Sequence, residues 1–407
     1  MLIRINMNKT ISLILALSLC LMCVGCKNTD RPHASANGII TVDNGKMREN
    51  MTAMDYAEDM GMGINLGNTF DGFYQNLRRA NSGASIIGGN TAKEYERCWG
   101  AVETTQEIID GMKNEGFKTV RLPVYWGNMM EEDDTFTINE QLLDRVEEVI
   151  NYCRNDGLYV VVNIHHYDEY IIKHYSRSET VEIIKRLWTQ IAERYKEYSD
   201  YLIFEGFNEH VGSARPEDNF TEDEIYDYVN ELNRTFVNAV RATGGNNSER
   251  VLIISGYHTN IDRTTDERFV VTEDTVKDRL MVSVHYADNA CYWEKSIGNR
   301  HWVDYTNSQC ELLKKAFIDK GIPVFMGAIN ANYDEESLSK NKIYDTPAEC
   351  VEVSLGILKS YKILPVVWDT NDSLYYRTLC RIKSPDLRAV INDFTGVVHS
   401  DETDTAA

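Results

Sequence analysis

The chain has 407 residues with 42 Lys or Arg against 63 Asp or Glu, a formal net charge of -21. Its 43% hydrophobic and 26% charged residues exclude an intrinsically disordered chain, and with only 7 Pro it has no long Pro-rich linker. The acidic balance excludes a phosphate-backbone binder, because nucleic-acid affinity rests on clustered Lys and Arg; neutral or cationic partners fit better.

Arg4 and Lys9 precede an apolar run from Ile11 to Val24 that ends in Gly25-Cys26 and is too short to span a bilayer comfortably. Residues 1–26 therefore read as an export signal. Cys23-Val24-Gly25-Cys26 has the form of a bacterial lipobox, with Cys26 as the lipid attachment residue; an ordinary signal peptide is the other reading. Both export the chain, the lipobox reading placing it at the bacterial cell envelope or surface, and a lipid anchor is the only membrane attachment expected. Residues 27–50 read as a polar spacer, 51–396 as a single folded domain and 397–407 as a flexible tail. Beyond the leader, Cys98, Cys153, Cys291, Cys310, Cys350 and Cys380 are scattered without ligand spacing. No zinc site or cofactor is expected, while export leaves room for disulfides of unspecified pairing.

From there apolar runs of strand length recur at Gly63–Leu66, Phe117–Leu122, Leu158–Ile164, Tyr201–Phe207, Val251–Ser255, Leu280–Val284, Pro323–Gly327 and Leu364–Trp368. Amphipathic helical stretches separate them, including Gln141–Arg154, Glu179–Tyr195, Glu222–Ala242, Tyr305–Lys320 and Pro347–Tyr361, and the link after the fifth strand is the weakest. Continuous apolar strands alternating with helices predict a parallel sheet buried on both faces, and eight such units predict an α/β fold of the (β/α)8 TIM-barrel type. A doubly wound open sheet is the alternative, but its nucleotide-binding versions need a GxGxxG or GxxxxGK[ST] run that is absent.

Active sites in such barrels sit where strands end. Asn65 and Asn68 follow the first strand, Arg121 ends the second, His165 and His166 the third, Asn208 and Glu209 the fourth, Tyr257 and His258 the fifth, His285 the sixth and Trp368 the eighth. Glu209, at the end of an apolar strand and beside an amide, is the catalytic candidate, its carboxyl expected to be raised by desolvation. His165 and His166, adjacent on a strand, would point to opposite faces, which argues against a shared metal ion. Five Trp (Trp99, Trp126, Trp293, Trp302, Trp368) are placed at strand ends or in loops, as sugar-stacking platforms or as packing under loops.

At these residues the chain resembles glycoside hydrolase family 5, the cellulase-type retaining endo-β-1,4-glucanases. The matching stretches are Gly63-Ile64-Asn65-Leu66-Gly67-Asn68-Thr69, Gly116 to Val124, Leu158 to His166, Phe204-Glu205-Gly206-Phe207-Asn208-Glu209 and Pro323-Val324-Phe325-Met326-Gly327. The resemblance implies Glu209 as acid/base, Asn208 on a sugar 2-hydroxyl, and Asn68, Arg121, His165, His166, His285, Tyr286 and Trp368 lining the substrate cleft. It implies a β-1,4-linked polysaccharide (β-glucan, xyloglucan or glucomannan) as partner and a monomeric protein.

Three positions depart from the family. The nucleophile Glu that ends the seventh strand is replaced by Ala328, the Tyr two residues after the sixth-strand His by Ala287, and the Pro after the acid/base by His210. A retaining reaction needs that second carboxylate ~5 Å from the first. Loop carboxylates Glu294, Asp334, Glu335 and Glu336 are the candidates for a substitute, and an inverting route would need a base at wider separation. Two readings follow: a hydrolase with severely impaired turnover, or a surface lipoprotein that binds β-glucan without cutting it.

Overall fold

The computed structural model describes residues 33–34, 40–73, 91–130, 134–286, 301–330, 346–370 and 373–399. Eight parallel strands close into a barrel: β1 (Gly63–Asn65), β2 (Thr119–Leu122), β3 (Tyr159–Asn163), β4 (Leu202–Glu205), β5 (Leu252–Ser255), β6 (Leu280–His285), β7 (Val324–Asn330) and β8 (Leu364–Trp368), with β8 pairing back to β1. All eight strands expected from the sequence are present, as a (β/α)8 TIM barrel.

Several of the helices that return the chain start where the local sequence supplies caps. Ser176 and Glu179 form a capping box at the head of α5, so this helix begins at Arg177 and runs to Tyr195. The others are α1 (Ala53–Met60), α2 (Gln106–Asn114), α3 (Glu140–Asn155), α4 (Tyr167–His174), α6 (Glu222–Ala242), α7 (His301–Ala316), α8 (Pro347–Ser360) and α9 (Pro385–Thr395). After β5 there is only a 3-10 turn and the four-residue helix Ile261–Thr264, as the weak pattern there foretold. Trp302, expected in a loop, lies buried on α7, so it packs rather than faces a ligand. Cys98, Cys153 and Cys380 are free thiols and Cys310 and Cys350 are buried, while Cys291 lies outside the described residues. Among the described residues no helix is long and apolar enough to cross a membrane.

Alternation along the strands divides the core into two shells. Outward residues such as Val120, Val160, Phe204, Val282 and Met326 pack under the helices. Inward residues Val161, Ile203, Ile253, Met281, Phe325 and Val366 fill the lower barrel, and Ala53, Tyr56 and Met60 of α1 plug its floor. The stretch read as a spacer to residue 50 is tied to this floor from Asp43 onward. Asp43 accepts bonds from the Ser199 amide (2.8 Å), the Ser199 hydroxyl (2.7 Å) and Arg154 (2.7 Å). Arg48 pairs with Asp200 at 2.8 Å and Asp59 at 2.7 Å.

One strand departs from the simple pattern in a way that matters for the site. β7 runs on to Asn330, three residues past the expected end, and both neighbouring ladders skip one residue in it: Val284↔Met326 is followed by His285↔Ala328, and Pro365↔Met326 by Val367↔Ile329. Such a bulge re-aims side chains at a barrel rim. Here it falls on Gly327 and Ala328.

Candidate active site

Above the apolar floor the next inward positions are polar. Arg121 and Glu205, both fully buried, form an ion pair with Nε to Oε2 at 2.6 Å. Arg121 also donates Nη1 to Asn65 Oδ1 (3.0 Å) and Nη2 to Asn208 Oδ1 (3.1 Å). Glu205 further accepts from Ser283 (2.7 Å) and Asn163 (3.2 Å). Asn65 donates to the carbonyls of Gly327 (2.9 Å) and Val367 (3.1 Å), so the network grips the β7 bulge. A buried charge pair is tolerable only when its remaining hydrogen bonds are satisfied, and Arg121 and Glu205 meet that condition through these partners, while Asn163 Oδ1 finds none among the described residues.

Asn208 and Glu209 emerge directly above it. The buried Asp168, on the first turn of α4, accepts the Asn208 amide at 3.1 Å, and burial pushes its carboxyl up despite the amides of Glu169, Asn208 and His210 around it. On the other side His258 binds the Glu209 carbonyl through Nδ1 at 2.9 Å. His258 itself is in the left-handed region at φ 50, and burial together with nearby cationic groups lowers its imidazole.

The Glu209 side chain is 37% exposed, and Oε1 accepts from Nδ1 of the buried His285 at 2.8 Å. The expectation of a raised carboxyl is overturned. Burial raises it, but the His285 hydrogen bond and the positive charges of His285, His210 and Arg121 outweigh burial and lower it to about 2. The free cleft therefore holds a carboxylate. His285 Nε2 is buried with no hydrogen-bond partner among the described residues, and a Cβ at Gly327 would lie 2.7 Å from it, so only glycine fits beneath this ring. Ala328, the register partner of His285, is buried, and its carbonyl accepts the Tyr286 amide at 3.1 Å. Opposite His285 on β7 there is thus a methyl group and no carboxylate.

The rest of the cleft is ring-lined. Trp368 stacks on His165 with centroids 5.7 Å apart and planes 9° off parallel. Gly67 permits this, since a Cβ there would meet the Asp369 carbonyl at 2.5 Å and the indole at 2.9 Å. His165 is buried, and desolvation plus cationic neighbours hold it well below the usual imidazole range, hence neutral. Trp99, Phe73 and His166 form a second ring cluster beyond it, with Trp99 anchored by its indole N–H on the Phe73 carbonyl at 3.0 Å. Trp126 is fully buried and bonds the Asn163 carbonyl at 2.8 Å, which makes it core. Asn68, at φ 54, turns the chain after β1 and donates its amide to Asp71.

The argument that His165 and His166 face apart does not hold. β3 ends at Asn163, and His166 turns left-handed (φ 57) to head α4, which brings the two rings to 4.5 Å. Ligand atoms of Asp71, His165 and His166 lie within 4.8 Å of one another, as do those of His166, Glu169 and His210. The structure thus brings Asn68, Arg121, His165, His166, Asn208, Glu209, His285, Tyr286, Ala328 and Trp368 to one mouth. Cys26, Ala287, Trp293, Glu294 and Asp334 to Glu336 lie outside the described residues. Sequence reasoning gave no role to Asn163, Glu205, Ser283, Asp168 or His210. The first three carried a signal, being polar interruptions at inward positions of apolar strands.

The mouth thus gathers the carboxylate of Glu209 and a set of aromatic rings at the ends of the barrel strands. The cellulase (glycosyl hydrolase family 5) model matches residues 80–374. Endoglucanase A of Ruminococcus albus is 34% identical over 330 residues, covering 76% of this chain and 84% of the relative. Endoglucanase B of Clostridium cellulovorans is 36% identical over 332 residues, covering 79% and 69%. Among solved structures, a broad-specificity endoglucanase from Ruminococcus champanellensis with bound cellotriose superposes with a TM-score of 0.72 at 30% identity, covering 85% of this chain and 99% of that one. The chain belongs to glycosyl hydrolase family 5, as a cellulase-type member.

Proposed function

We propose that the cleft binds β-1,4-linked glucans and that Glu209 is the acid/base of a hydrolase whose turnover is severely impaired by the absence of a nucleophile at Ala328. One observation carries the reading: Glu209 is held by His285, and the residue paired with His285 across the sheet is an alanine. The buried carboxylates nearby are committed elsewhere: Glu205 to Arg121, Ser283 and Asn163, Asp168 to the Asn208 amide and Asp71 to the amides of Asn68 and Thr69. Related proteins support the substrate class. The Ruminococcus champanellensis endoglucanase holds cellotriose, and a Glu-to-Ala variant of the family 5 enzyme from Prevotella bryantii holds a xyloglucan tetradecasaccharide. On this reading Asn208, Arg121, Asn68, His165, His166, His285, Tyr286 and Trp368 contact or shape the sugar subsites.

When a glucan occupies the cleft, water leaves Glu209 and its proton affinity rises, which suits protonation of the departing glycosidic oxygen. Without a covalent partner the cycle stops before a glycosyl-enzyme forms. The second reading is a β-glucan-binding lipoprotein attached through Cys26. It is favoured by the same alanine beside an intact aromatic cleft.

Reducing-sugar release from mixed-linkage β-glucan, xyloglucan and glucomannan, by this chain and by Ala328→Glu side by side, separates the readings. Restoring a nucleophile is expected to raise the rate by on the order of 10^4 or more. Equal rates would remove Ala328 from the mechanism. Trp368→Ala should abolish retardation in affinity electrophoresis on the same glucans whether or not they are cut.

A further inference from the structure

His166 caps α4 and Glu169 sits in its first turn, three residues on, so both project from one side of the helix end. His210 comes from a different element, 44 residues further along, in the turn that follows Glu209. That turn is fixed by Asp168 on the Asn208 amide and by His258 on the Glu209 carbonyl, so His210 is held rather than loose. His210 Nε2 and Glu169 Oε2 are 3.3 Å apart, with side chains 24% and 19% exposed. All three residues are half-buried, and their ligand atoms lie within 4.8 Å of one another.

From these observations we infer that His166, Glu169 and His210 form a binding site for a borderline divalent cation of the zinc class on the rim of the cleft. A tetrahedral ion with bonds of about 2.0–2.1 Å separates neighbouring ligand atoms by ~3.3 Å, the spacing that Glu169 and His210 already have. The His166 ligand atom, within 4.8 Å of both, completes the set. Two imidazoles and one carboxylate favour zinc, nickel or copper over magnesium or calcium, which prefer all-oxygen shells. The overlapping group of Asp71, His165 and His166 is the poorer cage, because Asp71 already accepts the amides of Asn68 (3.1 Å) and Thr69 (2.7 Å) deep inside the protein. Lys173 Nζ lies 2.7 Å from Glu169 Oε1 and competes with an ion for that carboxylate.

Three protein ligands leave a coordination position open, as in catalytic rather than structural zinc sites. Because His210 directly follows Glu209, a bound dication would add positive charge beside the acid/base and offer a Lewis-acidic contact to water or a sugar hydroxyl. The site does not depend on glucan binding, and its test can fail without touching that reading.

The test is isothermal titration of zinc chloride into the metal-free full chain, prepared without a polyhistidine tag. Uptake of one equivalent is expected with Kd on the order of 1 μM. His210→Ala and Glu169→Gln should each weaken it by about tenfold or more, and Lys173→Ala should tighten it. Cobalt(II) in place of zinc should give visible ligand-field absorption that both ligand variants lose, and thermal melts in chelator should show those variants folded. No uptake by the unaltered chain, or unchanged affinity in both ligand variants, overturns the proposal.

Discussion

Replacing Arg121 by Met removes the one cation of the polar layer beneath the acid/base while keeping most of the stem volume. Glu205, with no exposure to solvent, would keep Ser283 at 2.7 Å and Asn163 at 3.2 Å but lose its ion pair with Arg121, at 2.6 Å. Breaking a buried pair from one side costs about 3–5 kcal/mol, because an uncompensated charge remains. Unfolding entropy is about 2.1 cal/mol/K per residue, so a domain of about 350 residues loses ~0.7 kcal/mol per degree, and a 4 kcal/mol penalty lowers Tm by about 5–6 °C. Differential scanning calorimetry at neutral pH reads this directly. In the pair Arg121→Met with Glu205→Leu the stranded charge is gone, and about half or more of the loss should return. A single-variant shift below about 1 °C, with no recovery in the double variant, would refute the claim that Arg121 holds an ionised Glu205.

Two further outcomes are expected. Asp43→Asn should destabilise the fold by about 1–3 kcal/mol at neutral pH, since the buried Ser199 and Arg154 donors lose a charged acceptor; because burial is outweighed there by those partners and the Asp43 carboxyl is lowered, the difference should be full above the ordinary carboxylate range and vanish as pH falls through the lowered value, which urea titrations across acid pH would check. Glu209→Gln should cost a fraction of a kcal/mol at pH 6, discounted for the exposure of the side chain, and nothing near pH 2; a folded value of about 2 against an ordinary 4.5 places the loss between those two pH values, and a pH-independent difference would contradict the His285 pairing.

The strands were legible because each is a continuous apolar run, the mark of a sheet buried on both faces, and their polar termini marked the mouth. Less legible was anything set by three-dimensional pairing. The β7 bulge adds a residue only relative to β6 and β8, so the run Val324 to Asn330 looked three residues shorter than it is. His165 and His166 were misread because strand alternation was carried past Asn163, where a left-handed residue ends it. Desolvation of Glu209 was foreseen, but the opposing hydrogen bond comes from a residue 76 positions away. Asp43 and Arg48 sit in a polar stretch, and only their partners on the barrel floor turn it into part of the fold.

The floor and the mouth lie at opposite ends of the barrel axis, and the chain enters at the floor. Asp43, Arg48 and α1 are fastened where the strands begin, while Glu209, Trp368 and the ring-lined cleft stand where they end. The segment from Asp43 to α1 therefore crowds only the end where the strands begin, and the end that carries Glu209 and Trp368, a barrel height away, is left clear of it.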